Sequence, residues 1–404
     1  MFALRTLTAA ALILAIAGGA FAQGRMDLRG ALQRAEADNL ELRAVRQQRA
    51  IALAGLQTAR QVPNPTITFS ASRDAPHESV LWSQPIELGG KRGARIAVAR
   101  QEQRTTELEV QILGRQIRHR TREAFFRVLL TRAQTQQAKI TLDLAQQLRD
   151  SVEQRYQAGD VAQLEVIQAD VELARVRADY ELARASERSA DAQLAVLLNL
   201  PLDRAPDLDG RIEDLPKPVT LGAVTQTALQ SNPELQRAAQ EVQVEQRRLG
   251  LAKTQRVPNL DLQAGTDLNA PPDFQVGPRG QIGMSLPIFY HGQGEVSQSS
   301  ARLEFLRLSL DAQRTTASAR VAAAFFDYRA KLAQSQQYSE IIVPQTVRLE
   351  GMAAESYREG KSNLLVVIDA QRKLSDTRKA YLDSLFAAQS AFAALEEVAG
   401  EALD

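Results

Sequence analysis

The chain carries three histidines, His77, His119 and His291. Histidine is the side chain most often used for proton transfer near neutral pH, so these are the first places to look for catalysis. His77 falls in a polar turn, His119 in the middle of a long helical stretch, and His291 at the end of a strand-like segment. None has a nucleophile and an orienting acid beside it in a pattern that would build a triad. His119 and Glu123 stand four apart on one face of a helix, where they could hold a metal or form a plain surface pair; the surface pair is the simpler reading. Gly89-Gly90-Lys91-Arg92-Gly93 lacks the glycine spacing and the Lys-Ser/Thr pair of a phosphate-binding loop. It reads as the end of a strand and the start of a helix. Cysteine is absent, which excludes disulfides, thiolate metal sites and thiol nucleophiles. The expectation is a protein that is not an enzyme, with no catalytic residue, metal ligand or cofactor.

The elements that would position a site repeat themselves. Ala124-Phe125-Phe126 recurs as Ala324-Phe325-Phe326, a spacing of 200. Tyr156 and Gly159 recur as Tyr357 and Gly360, a spacing of 201. Val166-Ile167-Gln168-Ala169 recurs as Val367-Ile368-Asp369-Ala370, and Val62-Pro63-Asn64 as Val257-Pro258-Asn259. The period is far too long for a solenoid, whose units are about 20–50 residues. It is a duplicated half-structure. The expected divisions are a leader at 1–22, a first copy at 23–200 with a β-hairpin at 62–90, a proline- and aspartate-rich linker at 201–218, and a second copy at 219–404 with a β-hairpin at 257–291.

The leader has one positive charge, Arg5, then an apolar run, and ends Ala20-Phe21-Ala22. That is the pattern of a cleaved secretory signal, and no other stretch reaches the length of a membrane-spanning helix. Cleavage would leave no cysteine to carry a lipid. Without Arg5 the chain holds 48 basic and 48 acidic residues, so nucleic acid is not an expected partner.

Long helices follow from the scarcity of breakers. No proline lies between Pro85 and Pro201, and the stretch 94–158 holds one glycine, Gly114. A helix over it would be on the order of 100 Å long. Leu164, Ile167, Val171, Ala174 and Ala178 form a heptad seam, and so do Val110, Leu113 and Ile117. Each copy reads as helix, hairpin, long helix, turn, returning helix: 27–61, 92–157 and 161–198, then 220–256, 295–359 and 363–398. Pro344 predicts a kink in the second long helix.

Each hairpin contains alternating segments, clearest at 66–72 and 281–288, weaker at 79–88 and 259–266. Their length and alternation suit a strand with one lipid face and one wet face. Four strands cannot close a barrel, which needs about eight. An open sheet in lipid leaves unpaired backbone groups at its edges. Several chains must then share one barrel, and three would supply twelve strands.

With the duplication in view, the sequence resembles the TolC-like outer membrane factors, the exit ducts of tripartite efflux pumps and type I secretion systems. The resemblance spans residues 27–398. It rests on Asn39 and Asn232-Pro233, on the Val-Pro-Asn lead-ins to the strands, and on Leu286-Pro287-Ile288-Phe289. The segment Gln84-Pro85-Ile86-Glu87-Leu88-Gly89-Gly90-Lys91-Arg92 is similar to the CzcC-like branch that serves heavy-metal exporters. The resemblance implies a mainly α protein with a small β membrane part. It implies a homotrimer with a shared twelve-stranded β-barrel in the outer membrane of a Gram-negative bacterium and an α-barrel in the periplasm. The partners it implies are outer-membrane lipid, a periplasmic adaptor and an inner-membrane transporter of the RND type. Drug efflux and type I secretion are alternatives to metal export. A periplasmic coiled-coil adaptor is the rival class, which would show one helical hairpin rather than two equivalent copies.

The resemblance also implies a closed periplasmic tip. The turns containing Tyr156, Gly159 and Asp160, and Tyr357, Gly360 and Lys361, match the tip. The family carries acidic residues on the second returning helix at a constriction. Matching from Gly360 brings Asp369 to one such position, whereas Val366 occupies the other. In the first copy Glu165 stands where Val366 stands in the second, and Gln168 where Asp369 stands. The candidate aperture is Glu165, Gln168 and Asp369.

Overall fold

The computed structural model describes residues 25–202, 205–216, 218–268 and 277–403. The predicted leader and the turn at 269–273 lie outside them. The first copy comprises α1 (Leu28–Asp38), α2 (Leu40–Arg46), α3 (Gln48–Arg60), β1 (Thr66–Ala71), β2 (Glu78–Ile86), α4 (Lys91–Gln157) and α5 (Gln163–Leu197). The second comprises α6 (Leu221–Ser231), α7 (Pro233–Thr254), β3 (Leu260–Leu268), β4 (Pro278–Met284), α8 (Gln293–Gln337), a π-helical turn at Tyr338–Ile342, α9 (Val343–Arg358) and α10 (Leu364–Ala399).

The first helix of each copy is not continuous. The chain turns extended at Asn39 (φ −60°, ψ 125°) and at Asn232 (φ −66°, ψ 117°). Each asparagine then does two jobs. Asn39 Oδ1 accepts from the Leu42 N–H at 3.1 Å, and Asn232 Oδ1 from the Glu234 N–H at 2.8 Å, capping the next helix. Asn39 Nδ2 donates to the Leu197 carbonyl at 3.1 Å, and Asn232 Nδ2 to the Val398 carbonyl at 2.8 Å. Those carbonyls belong to the last turns of α5 and α10, which have no partner within their own helix. Each returning helix is thus spliced end to end onto the start of α2 or α7.

The second long helix deforms just before Pro344. Proline has no N–H for the carbonyl of Glu340 four residues earlier. The helix answers with the π turn at Tyr338–Ile342 and resumes with Pro344 in its first turn, where the missing N–H costs nothing.

The four strands form one antiparallel sheet in the order β1-β2-β3-β4. The two copies join through β2 and β3, with Trp82 opposite Ala264. Beside the sheet the helices follow the same order, α3 against α4, α4 against α7, α7 against α8. The described core lies in three clusters along the helices: one around Ile117, Phe125 and Leu194, one around Val321, Tyr328 and Phe392, and one around Val152, Tyr357 and Ile368.

Candidate functional site

Directly opposed residues in a sheet share a face, so the register sorts the strands into two surfaces. One carries Ile67, Phe69, Val80, Trp82, Leu262 and Ile282. Ile67 is 72% exposed and Ile282 68%. The other carries Thr68, Ser70, Ser79, Ser83, Gln263 and Gln281. Its two opposite charges near the far end, Asp267 and Arg279, form an ion pair. In β2 and β3 this polar face is the less exposed one, as on the inside of a curved sheet. One strand set thus presents an apolar exterior and a wet interior, the partition of a membrane barrel wall. β4 ends at Met284 rather than reaching 288. The residues beyond it, including Phe289 and Tyr290, are exposed.

The segment 84–92 knits the two copies at the base of this sheet. Gln84 donates to the Pro63 carbonyl at 2.9 Å, and Lys91 Nζ to Asn259 Oδ1 at 2.6 Å. Glu87 pairs with Arg95. Gly89 has φ +69°, and a β-carbon there would lie 2.6 Å from Val257 Cβ. Both Val-Pro-Asn lead-ins are therefore gripped by one motif.

At the opposite end of the helices two turns pack together. Asp160 N–H reaches the Arg155 carbonyl (2.9 Å) and Gly159 N–H the Tyr156 carbonyl (2.9 Å). Lys361 and Gly360 repeat this onto Ser356 (2.8 Å) and Tyr357 (3.0 Å). Both are Schellman caps, with Gly159 (φ 84°) and Gly360 (φ 71°) in the left-handed region that favours glycine. Lys361 pairs with Glu359 at 2.7 Å; Tyr156 and Asp160 are exposed.

Of the candidate aperture residues, Glu165 is held and Asp369 is not. Tyr357 Oη donates to Glu165 Oε2 at 2.8 Å, and Arg155 lies over the Tyr357 ring, 4.9 Å from its centre. Burial, then the Glu165 carboxylate, push the Tyr357 hydroxyl up to about 12. Asp369 is exposed and makes no ion pair among the described residues. Gln168 is half-buried. Two turns along α5, Glu172 is 5% exposed. Its carboxylate takes Arg175 Nη2 at 2.6 Å and Arg372 Nε of α10 at 2.9 Å. Burial raises the Glu172 pKa, but the two guanidiniums outweigh it and hold it below the usual carboxylate value. Sequence reading missed Glu172, Arg175 and Arg372, because Arg372 stands one residue out of the 201-residue register that relates the copies here. His119 Nε2 lies 3.9 Å from Glu123 and its Nδ1 3.7 Å from Glu397, so the two carboxylates face different nitrogens of the ring, and no group of three or more histidine, aspartate or glutamate side chains among the described residues is placed to hold a metal ion.

A duplicated helical wall continuous with a two-faced sheet defines the protein as the stave of a membrane duct. The chain belongs to the outer membrane efflux protein family, which matches residues 31–200 and 224–401. It is 25% identical over 383 residues to the cobalt-zinc-cadmium resistance protein CzcC of Cupriavidus metallidurans, covering 94% of this chain and 91% of that one. It is 26% identical to the pyoverdine export outer membrane protein OpmQ of Pseudomonas putida, covering 76% of this chain and 65% of OpmQ. Its fold is that of solved channels. The match to CusC has a TM-score of 0.75 at 20% identity and covers 93% of this chain and 92% of CusC. The match to VceC of Vibrio cholerae has a TM-score of 0.76 at 18% identity and covers 93% and 97%.

Proposed function

We propose that three copies close into an outer-membrane exit duct of a tripartite efflux system, conducting substrate passively with no chemical step. The observation that carries this reading is the sheet, with an apolar face for lipid, a polar face for water, and open edges at β1 and β4. In hydrocarbon those edges must be paired, and a neighbouring chain supplies the missing partner. The helices support the same closure. α3 leads into the edge strand β1 and α8 follows the edge strand β4, and both expose apolar side chains, Ile51 and Leu53 on one, Phe305 and Leu308 on the other. Detergent-solubilised protein should scatter light as three chains. A stable water-soluble monomer with full helical content overturns the reading.

In this reading the helical end lies in the periplasm, where an adaptor and an inner-membrane transporter of the RND type dock and open it; Glu165, Gln168 and Asp369 line the aperture. Glu165→Gln with Asp369→Asn should change single-channel conductance and weaken block by divalent cations from the periplasmic side. Unchanged conductance and block remove these residues from the aperture.

The cargo we propose is a divalent heavy-metal cation, supported by similarity to a protein named for cobalt, zinc and cadmium resistance. The likeness to a pyoverdine exporter favours an organic cargo as the second reading. A deletion strain that accumulates metals supports the first; one that accumulates only organic compounds supports the second.

A further inference from the structure

We infer that Glu172 keeps the aperture acidic by holding Arg372 away from Asp369. This rests on reading Asp369 as a pore residue. Asp369 and Arg372 are three apart on α10, a spacing at which opposite charges on a helix meet and pair. Arg372 is near enough for Asp369 to act on its charge. The guanidinium nevertheless turns to α5 and binds Glu172. Glu172 also takes Arg175, which reaches on to Asp179 at 2.8 Å. Drawing Arg372 to α5 does more than compensate the burial of Glu172. Its effect falls on α10, where Asp369 is left exposed and unpaired among the described residues. Lys373, four residues from Asp369, is also exposed and forms no ion pair among them. Glu172 is thus a positioning residue. It acts on permeating cations only through where it holds Arg372.

The test is block of the full-length trimer in planar bilayers by Mg²⁺ added from the periplasmic side. Asp369→Asn should lose the block. Glu172→Gln should lose it to the same extent, because the released Arg372 pairs with Asp369. Arg372→Gln alone should keep wild-type block, and Glu172→Gln with Arg372→Gln should regain it. That regain is the readout a merely structural role cannot produce, since the double variant removes still more of the cluster. Wild-type block in Glu172→Gln, or no regain in the double variant, overturns the inference while leaving the duct intact. Unchanged block in Asp369→Asn removes the aperture reading and this inference with it. Absence of any channel in the wild type refutes the duct itself.

Discussion

Tyr357 and Glu165 are 192 residues apart and hydrogen-bonded at 2.8 Å. One ends the long helix of the second copy; the other opens the returning helix of the first. Their bond fixes the two tip turns to each other. A hydrogen bond to a charged group contributes about 1.5–3 kcal/mol, a large share for a contact at the end of two long hairpins.

Tyr357→Phe removes that bond and keeps the ring beneath Arg155. We expect a larger or more often open conductance and unchanged global melting. A conductance equal to wild type would show that the tip is held elsewhere.

The same hydroxyl sets an alkaline limit. Its pKa is raised from 10.0 to about 12 in the folded protein. A raised pKa contributes stability that is complete below the unfolded value and lost as pH rises through the folded one. The tip should therefore loosen between about pH 10 and 12, and Tyr357→Phe should lack this transition in tryptic accessibility of the turns.

Glu172 sets an acid limit of opposite sign. Its pKa is depressed below 4.5, so its contribution is present above that value and is lost as pH falls through the lower, folded one. Block by periplasmic Mg²⁺ should therefore weaken through Glu172 only on acidification below pH 4.5, as its protonated carboxyl releases Arg372. In Glu172→Gln that acid step should vanish.

Asn39→Ala and Asn232→Ala should each cost about 1–2 kcal/mol through the lost helix caps, read as a lowered Tm. Asn232→Asp keeps the cap but sets a carboxylate against the Val398 carbonyl, and should be the worse of the two changes at that position. Equal Tm for Asn232→Asp and wild type would show that the splice to α10 contributes nothing.

Gly89→Ala and Gly90→Ala separate strain from space. Both positions have positive φ, but only at Gly89 would a β-carbon collide, with Val257. We expect about 1–2 kcal/mol for Gly90→Ala from the left-handed backbone alone. Gly89→Ala should cost a further roughly 1–3 kcal/mol for overpacking. Equal denaturant midpoints would remove the clash from the account.

Much of the architecture was readable because its signals are local. The proline-free run before Pro201 marks α4 and α5, and alternation at 66–72 marks β1. The breaks at Asn39 and Asn232 escaped because asparagine stops a helix only when something distant rewards the turn, here the carbonyls of Leu197 and Val398. The proline at 344 announced a deformation but not the π turn that takes it up. β4 runs from Pro278 to Met284, a stretch with two glycines and a proline that an edge strand tolerates and a propensity reading passes over. The seam at Leu164, Ile167 and Val171 was expected to be covered. All three are more than half exposed, so sequence periodicity identified an apolar stripe that the described residues leave uncovered. The Glu172–Arg372 pair required knowing which face of α5 meets α10, which no local signal carries.

The open edges at β1 and β4 also govern how assembly can proceed. One chain has two raw edges, and so does a pair of chains, because joining β4 of one to the neighbour's β1 leaves the outer two unchanged. Only the step that completes the ring removes both at once. The first junction yields one interface and leaves two raw edges, whereas the third subunit adds two interfaces at once and leaves none, so a partial oligomer is held less firmly per chain than the closed ring. Formation of the ring should be steeply cooperative in chain concentration. A variant that folds correctly but is made in short supply would fail for want of neighbours, not for want of structure.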